Sequence, residues 1–149
     1  MNGLYVINGA ANDWSEAIRL TSGELYRNGC VKEEFYEKCC ERERDYPTGL
    51  TEFCPVAIPH ASKDYVLKQA ICVLRLQEPV KFRSMSDVDK EIDIRYVLNL
   101  ALLDDSDHIK IISQVITCLK DKEFLVKMDS LEGDDLKGFL VDNFFKGLS

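Results

Sequence analysis

The chain has 149 residues, 46% hydrophobic and 30% charged, with 26 acidic against 19 basic side chains and a formal charge of −7. That length suits one domain, spanning 1–149, with a core of its own, and the acidic balance argues against nucleic acid or an anionic membrane as the main partner. No apolar run approaches the roughly 20 residues of a membrane span, and the start of the chain lacks a basic stretch followed by a long apolar one, so a cytoplasmic location is expected.

In chain order, Leu4–Ile7 reads as a short strand. Asp13 offers an N-cap to a helix running to about Arg27, which Asn28-Gly29 stops. A second helix is predicted from Lys32 to Arg44, anchored by Phe35 and Tyr36, and the turn Tyr46-Pro47-Thr48-Gly49 ends it. Val56–Ile58 is a strand closed by Pro59, whose missing N–H suits a chain leaving its sheet, and His60 comes next, at the sheet edge. Ala70–Leu76 is an apolar strand, and Pro79–Met85 continues it as a loop or edge strand. Ile92–Leu103 begins in alternation and becomes continuously apolar, as a strand buried on both faces does. Asp104-Asp105-Ser106-Asp107 caps a helix that begins near Ser106, with Ile109, Ile112, Ile116 and Leu119 at helical spacing. Short helices over Glu123–Met128 and Asp134–Phe145 complete the pattern. Helices alternating with buried strands predict an α/β fold: a single layer domain with a mixed, mostly parallel β-sheet flanked by helices.

Six cysteines contain no Cys-x-x-Cys pair, which gives no zinc or dithiol signature; Cys72 in a strand and Cys118 in a helix read as small buried hydrophobes. Chemistry is better sought at the two histidines. Imidazole titrates near neutrality and serves as base, nucleophile or ligand. His60 sits at a strand end, where α/β sites are built. His108 falls in the first turn of a helix, whose unpaired N–H groups favour anions. Taken alone, each is as well explained by an ordinary turn or an acidic cap. The run Glu41-Arg42-Glu43-Arg44-Asp45 is mostly a solvated helix end, yet the planar fork of arginine clamps phosphate oxygens, and either Arg42 or Arg44 is suited to enter a site. Thr48 and Gly49 add a hydroxyl and a flexible backbone nearby. Two histidines, an arginine, a threonine and a helix start together suit a phosphoryl group.

Three segments in order, Arg42-Glu43-x-x-x-Pro47-Thr48-Gly49, Val56-Ala57-Ile58-Pro59-His60 and Asp107-His108-Ile109, resemble the enzyme IIA domains of the bacterial sugar phosphotransferase system. The likeness is to the fructose–mannitol superfamily, with Pro47-Thr48-Gly49-Leu50 most like the galactitol-type branch, and it covers nearly the whole chain. The resemblance implies a phosphotransferase component for sugar uptake. It implies that His60 accepts a phosphoryl group from the carrier protein HPr and passes it to a cysteine of a IIB component, the membrane IIC component being involved only indirectly. It implies that His108 hydrogen-bonds the phosphoryl group, that Arg42 is the motif arginine with Arg44 as fallback, and that Thr48 orients His60. No metal or cofactor is implied. This chain departs from many relatives in the longer link between Thr48 and His60, where Cys54 is given no role. A regulatory IIA-like domain, whose phosphorylation controls a partner, is the alternative. An unrelated acid–base or metal enzyme is weaker, because two histidines without spaced carboxylate or cysteine ligands make a poor metal site.

Overall fold

The computed structural model describes residues 3–50, 54–103 and 105–147, the side chains of 105–108 excepted. Its elements are β1 (Gly3–Gly9), α1 (Trp14–Arg27), α2 (Phe35–Asp45), β2 (Val56–Ala57), β3 (Ala70–Arg83), β4 (Glu91–Ala101), α3 (Asp105–Leu119), α4 (Lys122–Ser130) and α5 (Gly133–Phe144). The strands form one sheet in the order β1-β3-β4-β2. Two of its three pairings are parallel, β1 with β3 and β2 with β4, and β3 runs antiparallel to β4. The α/β class with a mixed sheet is the one expected from the pattern.

Side chains of a strand alternate between faces, so a strand covered on both sides must be apolar at every position. In β3, Ile71 and Val73 face a cluster with Ile111, Val115, Phe124, Leu140 and Phe144 of α3, α4 and α5. The intervening Cys72 and Leu74 face Ile18, Leu25 and Phe35 of α1 and α2. One polar exception is Asn99 of β4, fully buried, whose Nδ2 donates to Thr21 Oγ1 at 3.0 Å and Ser22 Oγ at 3.2 Å of α1. The six cysteines are all buried and free, as the apolar reading of Cys72 and Cys118 requires.

Asp13 caps α1, its carboxylate accepting from the Glu16 N–H at 2.9 Å. Gly29 ends it with φ +71°, a conformation that glycine adopts without strain. Two expectations, for α2 and α3, need correction, and the loop-or-edge-strand alternative at Pro79–Met85 is decided for the strand. Helix α2 starts at Phe35 instead of Lys32, because Val31 bridges Val66 and the Lys32 N–H donates to Tyr65. β3 runs unbroken to Arg83: a bulge between Arg75 and Val80 absorbs Pro79, which has no N–H to lose there. Past Leu76, where β1 ends, β4 is its only strand partner among the described residues. In α3 the core line is Ile111, Val115 and Leu119, whereas Ile109 is 68% exposed. The Asp104 cap lies outside the described residues.

The edge strand β2 delivers His60 to one end of the sheet. Val56 pairs with Tyr96 and Ala57 with Val97, and the chain then tracks β4 further: Leu100 N–H donates to the Pro59 carbonyl at 3.0 Å and His60 bridges Leu100. Because β2 and β4 are parallel, His60 reaches the same end from which β4 feeds α3. Among the described residues, no helix is long and apolar enough to cross a membrane.

Candidate functional site

An imidazole is useful only when its tautomer is set, and two hydrogen bonds from described residues bear on it here. His60 Nδ1 lies 2.9 Å from the Ile58 carbonyl, and Arg42 Nε lies 3.1 Å from His60 Nε2. Arginine can only donate. Nε2 therefore accepts, the proton resides on Nδ1, and Nδ1–H donates to Ile58. The lone pair on Nε2 of the half-buried ring points toward the exposed Arg42 guanidinium, the arrangement of a nucleophile meeting an anion.

Arg42 comes from the last turn of α2, where a cation also complements the helix dipole. Its guanidinium stands 5.5 Å from the centre of the exposed Tyr46 ring. Arg44, two residues on, points elsewhere, since residues two apart do not share a helix face. Its guanidinium lies 5.8 Å from the Trp14 ring, in a groove lined by Ser15, Tyr36 and Glu37. Between the two candidate arginines, the geometry brings Arg42 to His60 and takes Arg44 away.

Thr48 and His60 line one cleft of about 260 Å³ with Arg42, Tyr46, Met85 and Val88. The Thr48 hydroxyl is directed at Glu43: Oγ1 donates to Oε1 and the Thr48 N–H donates to Oε2, both at 2.8 Å. Glu43 is 4% exposed. Burial raises its carboxyl above the usual range, against the opposing pull of the two Thr48 hydrogen bonds and of Arg83 and Arg42. Sequence reasoning misses Glu43, which reads as one charge in a mixed run. Its signal is the fixed offset from Thr48, which lets a carboxylate on the last helical turn cap the turn after it.

Gly49 supplies close approach where its sequence context suggested flexibility. A Cβ there would stand 2.6 Å from the Arg83 carbonyl oxygen. Without one, the Gly49 N–H donates to Arg83 at 3.1 Å, and its carbonyl accepts from Met85 at 2.8 Å. Cys54 is buried with Leu50 and Val56 in the core, and burial pushes its thiol up to about 12, which keeps it out of the chemistry. His108 lies in the first turn of α3, and its side chain falls outside the described residues. Among the described residues, no three His, Cys, Asp or Glu side chains are grouped to hold a metal ion.

Comparison with known proteins gives the family of the chain. Residues 2–135 match the family described as "Phosphoenolpyruvate-dependent sugar phosphotransferase system, EIIA 2". The chain is 31% identical over 117 residues to the mannitol-specific EIICBA component of Escherichia coli K12, covering 76% of this chain and 17% of that protein. It is 27% identical over 134 residues to the mannitol-specific phosphotransferase enzyme IIA component of Enterococcus faecalis, covering 87% of this chain and 88% of that one. The crystal structure of IIA mannitol from Escherichia coli superposes with a TM-score of 0.73 at 26% identity, over 93% of this chain and 95% of that one. Against three mannitol-specific EIICBA components, the chain spans only 17% to 19% of their length. These relatives carry the family and do not single out a galactitol-type branch. The chain belongs to the EIIA 2 family of the phosphoenolpyruvate-dependent sugar phosphotransferase system, whose IIA domains are phosphotransferase components.

Proposed function

We propose that this chain is a phosphocarrier in which His60 Nε2 accepts a phosphoryl group from phosphorylated HPr and hands it to a cysteine of a IIB component. The observation that carries this reading is the imidazole held between the Ile58 carbonyl and Arg42, with its Nε2 lone pair turned to the guanidinium. Phosphoryl transfer asks little covalent chemistry of a protein beyond an in-line nucleophile and donors around the equatorial oxygens. In the accepting step the donor's N–P bond breaks as the His60 Nε2–P bond forms, and the departing imidazole keeps the electron pair. Arg42 stands where negative charge gathers, and the Nδ1–H bond to Ile58 steadies the positive charge that develops on the ring. His108, in the first turn of α3, is assigned to the transferred group as a hydrogen-bond donor, helped by the helix N-terminus.

The donor and acceptor are both proteins, and the cleft mouth suits that: Tyr46, Met85 and Val88 are exposed apolar side chains around the histidine. A structure from Escherichia coli titled as a complex of enzyme IIAMTL and phosphorylated enzyme IIBMTL shares the fold, with a TM-score of 0.74 at 24% identity. For the sugar, the Pro47-Thr48-Gly49-Leu50 turn favours galactitol and the curated relatives favour mannitol, so the class we assign is a hexitol.

The test is incubation with enzyme I, HPr and phosphoenolpyruvate, then mass measurement under alkaline conditions. The wild-type chain gains one phosphoryl group and His60→Ala gains none. His108→Ala still gains it but passes it to IIB at least about tenfold more slowly. No gain in the wild type, or a gain that survives in His60→Ala, defeats the proposal. Discharge by a mannitol-type or a galactitol-type IIB identifies the sugar branch; discharge by neither supports the regulatory alternative.

A further inference from the structure

The nucleophile's tautomer depends on the Ile58 carbonyl, so whatever holds Ile58 also holds the chemistry. β2 is only two residues long, and Ile58 lies just beyond it. Its N–H donates to the Thr48 carbonyl at 3.3 Å. Thr48 is itself held by one group, the Glu43 carboxylate, which takes both its N–H and its hydroxyl at 2.8 Å. Glu43 is fixed from behind, because Arg83 Nη2 donates to the Glu43 carbonyl at 3.3 Å and also to the Arg44 carbonyl. The contacts run in one direction through named atoms: Glu43 carboxylate, Thr48 backbone, Ile58 backbone, His60 Nδ1. Glu43 also neighbours Arg42 on α2, so a single helical turn supplies the group on Nε2 and the group that governs Nδ1.

We propose that Glu43 is a positioning residue for His60: through Thr48 and Ile58 it keeps the proton on Nδ1 and the lone pair on Nε2. The reason it matters is chemical. Which nitrogen of a neutral imidazole carries the proton is set by the hydrogen bond its partner nitrogen makes. If the Ile58 carbonyl withdraws, the Nε2–H form becomes accessible, and in that form the nitrogen beside Arg42 has no lone pair to attack with. The buried carboxylate is costly to keep in place. A helix end at the surface would be satisfied by water, whereas a charge placed under the loop fixes that loop's backbone. The inference rests on the proposed role of His60, and its test is chosen to be separable from it.

The experiment reads the tautomer directly, with no phosphoryl donor present, by the nitrogen-15 chemical shifts of the His60 ring in Glu43→Gln, Thr48→Val and Thr48→Ser. The wild type and Thr48→Ser should show a protonated Nδ1 and an unprotonated Nε2. Glu43→Gln and Thr48→Val should shift toward a mixture of the two forms and accept the phosphoryl group about tenfold more slowly, with near-native melting curves. Thr48→Val removes the hydroxyl half of the hold that Glu43 has on Thr48, so it reads the same relay should Glu43→Gln fail to fold. A native tautomer in folded Glu43→Gln or folded Thr48→Val overturns the inference, whatever the rate, because Glu43 would then be a helix cap and nothing more. Absence of His60 phosphorylation in the wild type would overturn the phosphocarrier reading while leaving the tautomer result to decide this one.

Discussion

At Glu43, burial and hydrogen bonding pull one carboxyl in opposite directions. Removing a carboxylate from water favours its neutral form, and the Thr48 hydrogen bonds with the nearby arginines only partly offset that, so the folded protein holds the Glu43 proton more tightly than the unfolded chain does. Below the ordinary glutamate value both states are protonated and this contribution is fully present. As pH rises through the raised folded value it is lost, and above that value the loss levels off. Denaturation free energies measured between about pH 4 and pH 7 should therefore fall with rising pH more steeply for wild type than for Glu43→Gln. Identical slopes for the two proteins would refute the assignment.

Among the elements, the short β2 edge strand is held by its neighbours more than by its own ladder. The Gly49 turn is laced to β2 and to the end of β3: Gly49 bridges Ala57 and Ser84, and the Leu50 N–H donates to the Val56 carbonyl at 2.8 Å. Gly49→Ala forces a Cβ against the Arg83 backbone, which cannot swing aside as a side chain would. The expected cost is about 1–3 kcal/mol, read as a lowered melting temperature, together with slower phosphoryl acceptance because Thr48 moves with the turn. A native-like melting curve would show that the turn is softer than its contacts imply. Here the limits of sequence reading are concrete. The Asp13 cap and the Gly29 stop are written in adjacent residues, and both are legible. The true start of α2 is not, because it is decided by a bridge between Val31 and Val66, far apart in the chain. Between a loop and an edge strand over Pro79–Met85, the sequence leaves the choice open, and antiparallel pairing with β4 decides for the strand. Asn99 escapes notice in an apolar run, since its partners are on α1.

For the molecule as a whole, the sheet has both faces buried under helices, which leaves its edge and ends for function. His60 sits at such an end, within a rim of Tyr46, Met85 and Val88, and under the proposed function a protein partner covers this rim. Replacing Val88 or Met85 with glutamate places an unpaired charge in that contact. Phosphoryl acceptance from HPr should slow about tenfold, roughly 1.4 kcal/mol of encounter energy, with thermal stability unchanged because both side chains are exposed. Stopped-flow transfer rates check this. An unaffected rate would place the docking face elsewhere.

The features legible from residues alone are local and periodic: α/β class, helix caps, strands buried on two faces, and a strand ending on His60 with an arginine pair and a threonine turn upstream. They arise from side-chain spacing and capping chemistry, which act over a few residues. Long-range packing decides the rest: which arginine meets His60, where the Thr48 hydroxyl goes, why Gly49 must be glycine, and that a buried Glu43 underlies the loop. Each of those depends on contacts between segments distant in sequence or on the direction a side chain takes from its helix. Spacing along a chain does not specify either until the sheet brings the segments together.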